Sequence, residues 1–181
     1  MTDLPAKPAF GLREDEKLTR VMIYTPETLL AGELYSKLAV RVATWLRSTM
    51  LPSHLTMYEA RVLHLGGPKP IQMTYSRVHI PVSLVLAYHV LPPETVDRDY
   101  DLNEPNRVMY PIVATIGPYR IAGEKRISSL SDFTATLDLG KEIFIPIYDA
   151  QLSVHSYPEV KGFQAPYVLV RQDRILYTEA L

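Results

Sequence analysis

The tetrapeptide Leu30-Ala31-Gly32-Glu33 returns 91 positions later as Ile121-Ala122-Gly123-Glu124, and this recurrence decides the predicted fold. Other segments match at similar spacings and in the same order along the chain. They are Trp45 with Phe133, Tyr58 with Tyr148, and His79-Ile80-Pro81-Val82 with Gln164-Ala165-Pro166-Tyr167. Matches in one order, with only small insertions between them, indicate an internal duplication. The sequence therefore predicts a unit of roughly 75 residues that is present twice.

Short runs of β-branched and aromatic residues predict strands in both copies. Residues 21–25 alternate along one such run, and residues 143–145 and 167–170 form two more. Gly32 and Gly123 fall inside strand-like segments, where a glycine indicates a bulge or a sharp bend. Prolines also stand at or within strand-like runs, where they mark strand starts, edges or bulges. These are Pro52, Pro81, Pro146 and Pro166.

Each copy also carries a signal for one short helix. Residues 40–48 place apolar side chains, including Trp45, at helical spacing, and Ser131-Asp132 is a good N-cap pair before Phe133. We expect Trp45 and Phe133 to be equivalent plugs of the two cores. The other residues predicted to build the structural core are Gly32, Gly123, Tyr58 and Tyr148.

Short, bent and proline-punctuated strands favour small curved barrels over a flat sheet. The predicted fold is mainly β, with two tandem SH3- or Sm-like partly open barrels of about five strands and one short helix each. Composition shifts along the 181 residues give the predicted boundaries. They are an N-terminal tail (1–17), a first barrel unit (18–91), an acidic proline-rich linker (92–107) and a second barrel unit (108–181).

The second copy carries a motif that supports this fold. Leu130-Ser131-Asp132-Phe133 is followed by Phe144-Ile145-Pro146-Ile147-Tyr148-Asp149-Ala150. This pattern resembles a small bacterial β-rich domain family of unknown function, with a serine-aspartate-aromatic turn and an apolar-proline strand ending in aspartate-alanine. The resemblance extends more faintly to the first copy, where Ala43-Thr44-Trp45 replaces the turn and Glu59 replaces the aspartate. It implies a fold and brings no activity and no catalytic residues.

Composition excludes several classes of function. There are 19 basic and 20 acidic residues, which removes the usual electrostatic case for a dedicated nucleic-acid or membrane-surface protein. The chain has no cysteine, so disulfides, thiolate nucleophiles and cysteine metal sites are excluded. Residues 1–17 have no apolar core of a secretory signal, and residues 80–91 form an apolar run too short to span a bilayer. We expect a cytoplasmic protein without membrane insertion.

The sharpest local pattern is in the predicted linker, where Asp97, Asp99, Asp101 and Asn103 alternate with other residues. Oxygen ligands at alternate positions are typical of calcium loops, but the glycine and glutamate that such a loop needs are replaced by Leu102 and Val108. The preferred interpretation is a solvated acidic linker, with a weak calcium or magnesium site as the alternative. The histidines have no metal-ligand spacing, so no metal or other cofactor is expected.

Catalytic motifs are absent from the sequence. It contains no G-x-S-x-G elbow and no glycine-rich phosphate loop. Because a unit of this size is only marginally stable alone, we expect the two units to pack on each other or on further copies. The expected function is a non-catalytic assembly or structural subunit with protein partners, forming a homo-oligomer. Twelve tyrosines and twelve arginines leave single-stranded RNA or DNA binding as an alternative, and a small-molecule-binding protein or enzyme as a further one.

Overall fold

A computed structural model describes residues 13–38, 41–47, 52–93, 100–101, 103–139 and 142–178. The described residues form ten strands, two short α-helices and two single-turn 3₁₀ helices. The first half contains β1 (Glu16–Tyr24), β2 (Thr28–Lys37), α1 (Val42–Arg47), β3 (His54–His64), β4 (Ile71–Pro81), a 3₁₀ turn (Val82–Leu84) and β5 (Ala87–Val90). The second half contains β6 (Arg107–Ile116), β7 (Tyr119–Ser128), α2 (Phe133–Leu139), β8 (Phe144–Val154), β9 (Phe163–Arg171), a 3₁₀ turn (Gln172–Arg174) and β10 (Leu176–Thr178).

All ten strands belong to one antiparallel sheet in the order β10-β6-β7-β8-β9-β5-β1-β2-β3-β4. The mainly β class is therefore confirmed. The hydrogen-bonded order runs through both halves because β5 pairs with β1 on one side and with β9 on the other. The division into two barrels, and the barrel type, stay predictions. The first strand begins at Glu16, two residues before the expected boundary, and β6 begins at Arg107.

Both predicted glycine bulges are present. The pairing of β2 with β3 shifts register around Gly32, and the pairing of β7 with β8 shifts around Gly123. A Cβ built on Gly123 would lie 2.5 Å from the carbonyl oxygen of Tyr148, closer than any real contact allows. Across each bulge the partner strand carries a residue with φ of +47°, Glu59 in β3 and Asp149 in β8. Close approach of the neighbouring backbone is thus the reason for the glycines.

Replacing Gly123 with alanine should lower the free energy of unfolding by about 2 kcal/mol, because the new methyl group forces the Tyr148 carbonyl away. Urea denaturation followed by far-UV circular dichroism measures this change. Gly66→Ala is the control, since a Cβ there would meet nothing nearer than 3.9 Å. Equal midpoints for the two variants would show that the bulge accommodates a side chain.

Two apolar clusters form the core, and each contains residues from both halves. In β1, Val21 and Ile23 enter one cluster, while Met22 and Tyr24 enter the other. Strand β9 is divided in the same way between the clusters. The first cluster is centred on the second half but includes Leu29, Leu65, Leu86 and Ala87. The second is centred on the first half but includes Phe144, Tyr148, Tyr167 and Leu169.

The two predicted core plugs do not occupy equivalent positions. Backbone bonds from Trp45 to Arg41 and from Thr136 to Asp132 align the two helices, so Val42 stands where Phe133 stands. The helix starts therefore align differently from the predicted match of Trp45 with Phe133, and the role of these two residues as core plugs stays a prediction. Both side chains are partly buried and pack against different clusters. Position in the helical turn, rather than aromatic character, determines the match.

The predicted match of segment 79–82 with segment 164–167 does not agree with the strand register. Arg77 lies opposite Tyr58, as Tyr167 lies opposite Tyr148, so His79 and Leu169 hold corresponding positions in the register. The prediction relied on the shared proline, yet the two prolines have different roles: Pro81 ends β4, whereas Pro166 lies within β9. Of the two tyrosines, Tyr148 is buried, whereas Tyr58 is only half-buried.

Candidate interaction surface

The junction between the halves is short in backbone pairing. Only Ala87 opposite Val170 and Tyr88 opposite Leu169 form the β5–β9 ladder, and the Arg171 N–H adds a bond to the Leu86 carbonyl at 2.8 Å. Side-chain packing therefore supplies most of the contact, since each cluster crosses the junction.

Arg171 is the polar clamp of this junction. Its Nε donates to the Val85 carbonyl at 2.8 Å, and its Nη2 donates to the Val82 carbonyl at 2.7 Å. Its guanidinium also lies over the Phe144 ring, 5.0 Å from the centroid, and that ring meets Tyr88 edge-on at 5.2 Å. One side chain thus ties the end of β9 to the turn that precedes β5.

Two tyrosines of the second half also form hydrogen bonds with the first half. The Tyr119 hydroxyl donates to the Thr28 carbonyl at 2.9 Å, and the Tyr157 hydroxyl donates to the Leu65 carbonyl at 2.7 Å. Leu86 reaches Gly117, where a Cβ would lie only 2.8 Å from the leucine methyl. Two hydroxyls of the second half therefore bind carbonyls of the first half, and Leu86 of the first half packs against the second.

Among the strands that the structure describes, β4 and β10 end the sheet and have one neighbour each. Strand β4 presents large apolar side chains to solvent: Ile71 is 60% exposed, Met73 47% and Tyr75 37%. On β10, Leu176 is 65% exposed. Exposed apolar side chains on a sheet edge are typical of a surface that pairs with another chain.

A cleft of about 660 Å³ lies beside the edge of β4. We refer to this cleft as the β4 cleft. Its apolar lining includes Leu30, Val62, Val78, Ile80 and Leu84. Glu27, His64, Arg77 and His79 are among its polar lining residues. The Nε2 atom of His64 is buried and has no hydrogen-bond partner among the described residues. Apolar walls next to an unpaired strand provide the two elements that strand addition uses, backbone groups and side-chain pockets.

The junction also contains a buried histidine. His89 in β5 is 6% exposed, and its Nδ1 lies 3.2 Å from the Tyr24 hydroxyl. Burial lowers the pKa of His89 to about 4 and raises the pKa of Tyr24 well above its ordinary value. Both groups are therefore neutral near pH 7, which suits a structural hydrogen bond.

The predicted cation motif is only partly within the described residues, since Asp97 and Asp99 lie outside them. The Asp101 carboxylate accepts the Asn103 N–H at 2.8 Å, and the Asp101 carbonyl accepts a bond from Arg126. In the ranges that the structure describes, no three acidic or histidine side chains come together as a metal site would require. The weak calcium or magnesium site stays a prediction.

Ser53 and His54 lie side by side on the surface. The Ser53 Oγ lies 3.1 Å from His54 Nδ1, with both residues exposed.

For the nucleic-acid alternative, two arginines already lie over tyrosine rings of the same chain: Arg126 over Tyr100 at 4.6 Å and Arg77 over Tyr58 at 5.3 Å. These two tyrosine rings are thus engaged in internal cation–π contacts.

Two features of the sheet were not found by sequence reasoning. The run Ile71-Gln72-Met73-Thr74-Tyr75 alternates apolar and polar residues, and this alternation was the signal for a strand. Arg171 has no local signal, because its partners are carbonyls 86 and 89 positions away.

No family model, no curated protein and no solved structure matches this chain. None of the helices in the described ranges has the length and apolar character that a bilayer crossing requires.

Proposed function

We propose that this chain is a non-catalytic assembly subunit built from a duplicated small β unit. The observation that carries the proposal is the edge strand β4, whose apolar side chains Ile71, Met73 and Tyr75 are exposed beside the β4 cleft. Burying such a surface against another polypeptide stabilises a complex by roughly 25 cal/mol for each Å² of apolar area. A duplicated unit favours further copies of the same chain as the partner.

The two halves support a duplication in their details. They share one order of elements, including a helix after the second strand and a 3₁₀ turn before the fifth. They also share a glycine bulge that faces a residue with positive φ, Gly32 with Glu59 and Gly123 with Asp149. A left-handed conformation costs a non-glycine residue about 1 kcal/mol or more, so its presence at both places favours a common origin over coincidence.

The proposal is tested by the mass of the purified chain in solution. Sedimentation velocity over rising concentration should give a mass above that of one chain. The Leu84→Lys variant should sediment as a single chain, because a charge replaces an exposed apolar side chain of the β4 cleft. Leu130→Lys is the matched control, since Leu130 is 80% exposed at the turn before α2. A wild-type mass that stays at one chain up to the solubility limit would overturn the proposal.

A further inference from the structure

We propose that copies of this chain join head to tail, with β10 of one copy added to β4 of the next and Leu176 seated in the β4 cleft. This inference rests on the proposed assembly function and specifies its interface. The contact would repeat, between chains, the pairing of β5 with β9 that joins the halves within one chain.

The free edges correspond to the two strands of that internal junction. Strand β9 is the fourth strand of its half, as β4 is of the other, and β5 and β10 are the fifth strands. Ile80 lies opposite Leu55 as Val170 lies opposite Ile145, and Leu176 lies opposite Thr115 as Ala87 lies opposite Tyr24. One end strand of the sheet, β4, therefore corresponds to β9, and the other end strand, β10, corresponds to β5.

This correspondence fixes the register of the proposed contact. Within the chain, Ala87 lies opposite Val170 and Tyr88 lies opposite Leu169. The equivalent pairs between two chains are Leu176 with Ile80 and Tyr177 with His79.

The β4 cleft lies in the first half, at the position that corresponds to the place where Leu86 packs against the second half. In the second half, Leu86 packs in a cluster with Val168 and Val170, and it reaches Gly117. In the first half, the counterparts Val78 and Ile80 line the open cleft instead. On β10, Leu176 holds the position of Ala87, which faces Val170 in the internal junction, and its side chain is 65% exposed. An exposed leucine on one edge and an apolar cleft on the other are complementary.

Two differences make the contact between chains weaker than the internal one. Pro81 stands where Arg171 stands, so β4 lacks both the N–H and the guanidinium that hold residues 82–86 in the internal junction. The outward residues Arg77 and His79 replace Tyr167 and Leu169, which reduces the apolar area. We therefore expect a reversible association that depends on Leu176 and the cleft.

A head-to-tail contact has a distinctive property. It uses different surfaces on the two copies, so every added copy leaves one β4 and one β10 free to pair, and the assembly either closes into a ring or grows as a filament. A β4-to-β4 contact would instead stop at two copies. The two geometries are separated by blocking one edge at a time.

Three leucine-to-aspartate variants make this test, and all three side chains are exposed, so folding should be retained. Leu84→Asp places a charge in the β4 cleft, Leu176→Asp places one on β10, and Leu130→Asp is the control. Far-UV circular dichroism and the melting midpoint check the fold of each. By sedimentation velocity, the wild type and Leu130→Asp should associate, whereas Leu84→Asp and Leu176→Asp should each remain single chains.

The mixture of the two blocked variants is decisive. Leu84→Asp retains a working β10 and Leu176→Asp retains a working β4, so an equimolar mixture should form a dimer and nothing larger. A folded Leu176→Asp variant that still associates like the wild type would overturn the head-to-tail contact and leave the assembly function standing. Failure of the mixture to form a dimer would overturn it as well. A wild type that remains a single chain would overturn both proposals.

Discussion

Acidification from pH 7 to pH 4 should cost the folded chain about 3 kcal/mol through His89 alone. Its side chain is almost fully buried at the junction of the halves, and burial lowers its pKa to about 4 from an ordinary value of 6.5. In the unfolded chain the imidazole takes up a proton below pH 6.5, whereas the folded protein resists it down to about pH 4. The stabilisation is therefore complete above pH 6.5 and is lost as the pH falls through this window.

The hydrogen bond between His89 and Tyr24 also makes the folded state less stable as the pH falls. A neutral imidazole nitrogen can accept the phenol proton, but a protonated ring has no acceptor left. Glu16 and Glu104 contribute little in the window from pH 6.5 to 4.5. Hydrogen bonds from Tyr35 to Glu16 and from Arg107 to Glu104 hold the pKa values of these two acids below the ordinary 4.5, so they protonate at lower pH.

Urea denaturation at half-unit steps between pH 7 and pH 4 measures the loss. His89→Gln removes the titrating group and keeps an acceptor for Tyr24, so its free energy of unfolding should depend much less on pH. His155→Gln, at an exposed position, should retain the wild-type slope. Parallel curves for the wild type and His89→Gln would mean that the buried histidine is not the acid-sensitive group.

The sequence predicts local structure better than the way the halves meet. The bulges at Gly32 and Gly123 could be predicted because glycine weakens a regular strand and is favoured there only at a bulge or a close backbone approach. The continuous apolar run 21–24 also indicates on which faces the strand is buried, which its alternation alone does not. Four consecutive apolar residues indicate a strand covered on both faces, and β1 does supply both clusters.

The sequence does not show which strand or cluster each residue packs against. Tyr58 and Tyr148 lie opposite corresponding strand positions, yet Tyr58 is half-buried whereas Tyr148 packs in a cluster centred on the other half. The pairing of β5 with β9 joins residues more than eighty positions apart through two ladder pairs. Local periodicity cannot predict such a junction, and therefore it cannot predict which two strands end the sheet.

Replacing Arg171 with methionine should lower the free energy of unfolding by roughly 3 kcal/mol, because two hydrogen bonds from a charged donor are lost at once. Its guanidinium holds the carbonyls of Val82 and Val85, and methionine retains much of the apolar contact with Phe144. Arg174→Met removes the same charge from an exposed position in the adjacent 3₁₀ turn and should change stability little. Arg171→Lys should recover only part of the loss, because an ammonium group does not reproduce the two-pronged geometry.

Two probes reveal whether Arg171 couples the halves. The single tryptophan, Trp45, lies in the first half, so its fluorescence reports on that half, while far-UV circular dichroism follows the strands of both. In the wild type the two unfolding transitions should coincide, because each apolar cluster contains residues of both halves. Arg171→Met should shift both transitions to lower urea. If its midpoint matched that of Arg174→Met, the junction would be held without the Arg171 side chain, and the replacement of this arginine by Pro81 on β4 would not weaken the contact between chains through the lost guanidinium.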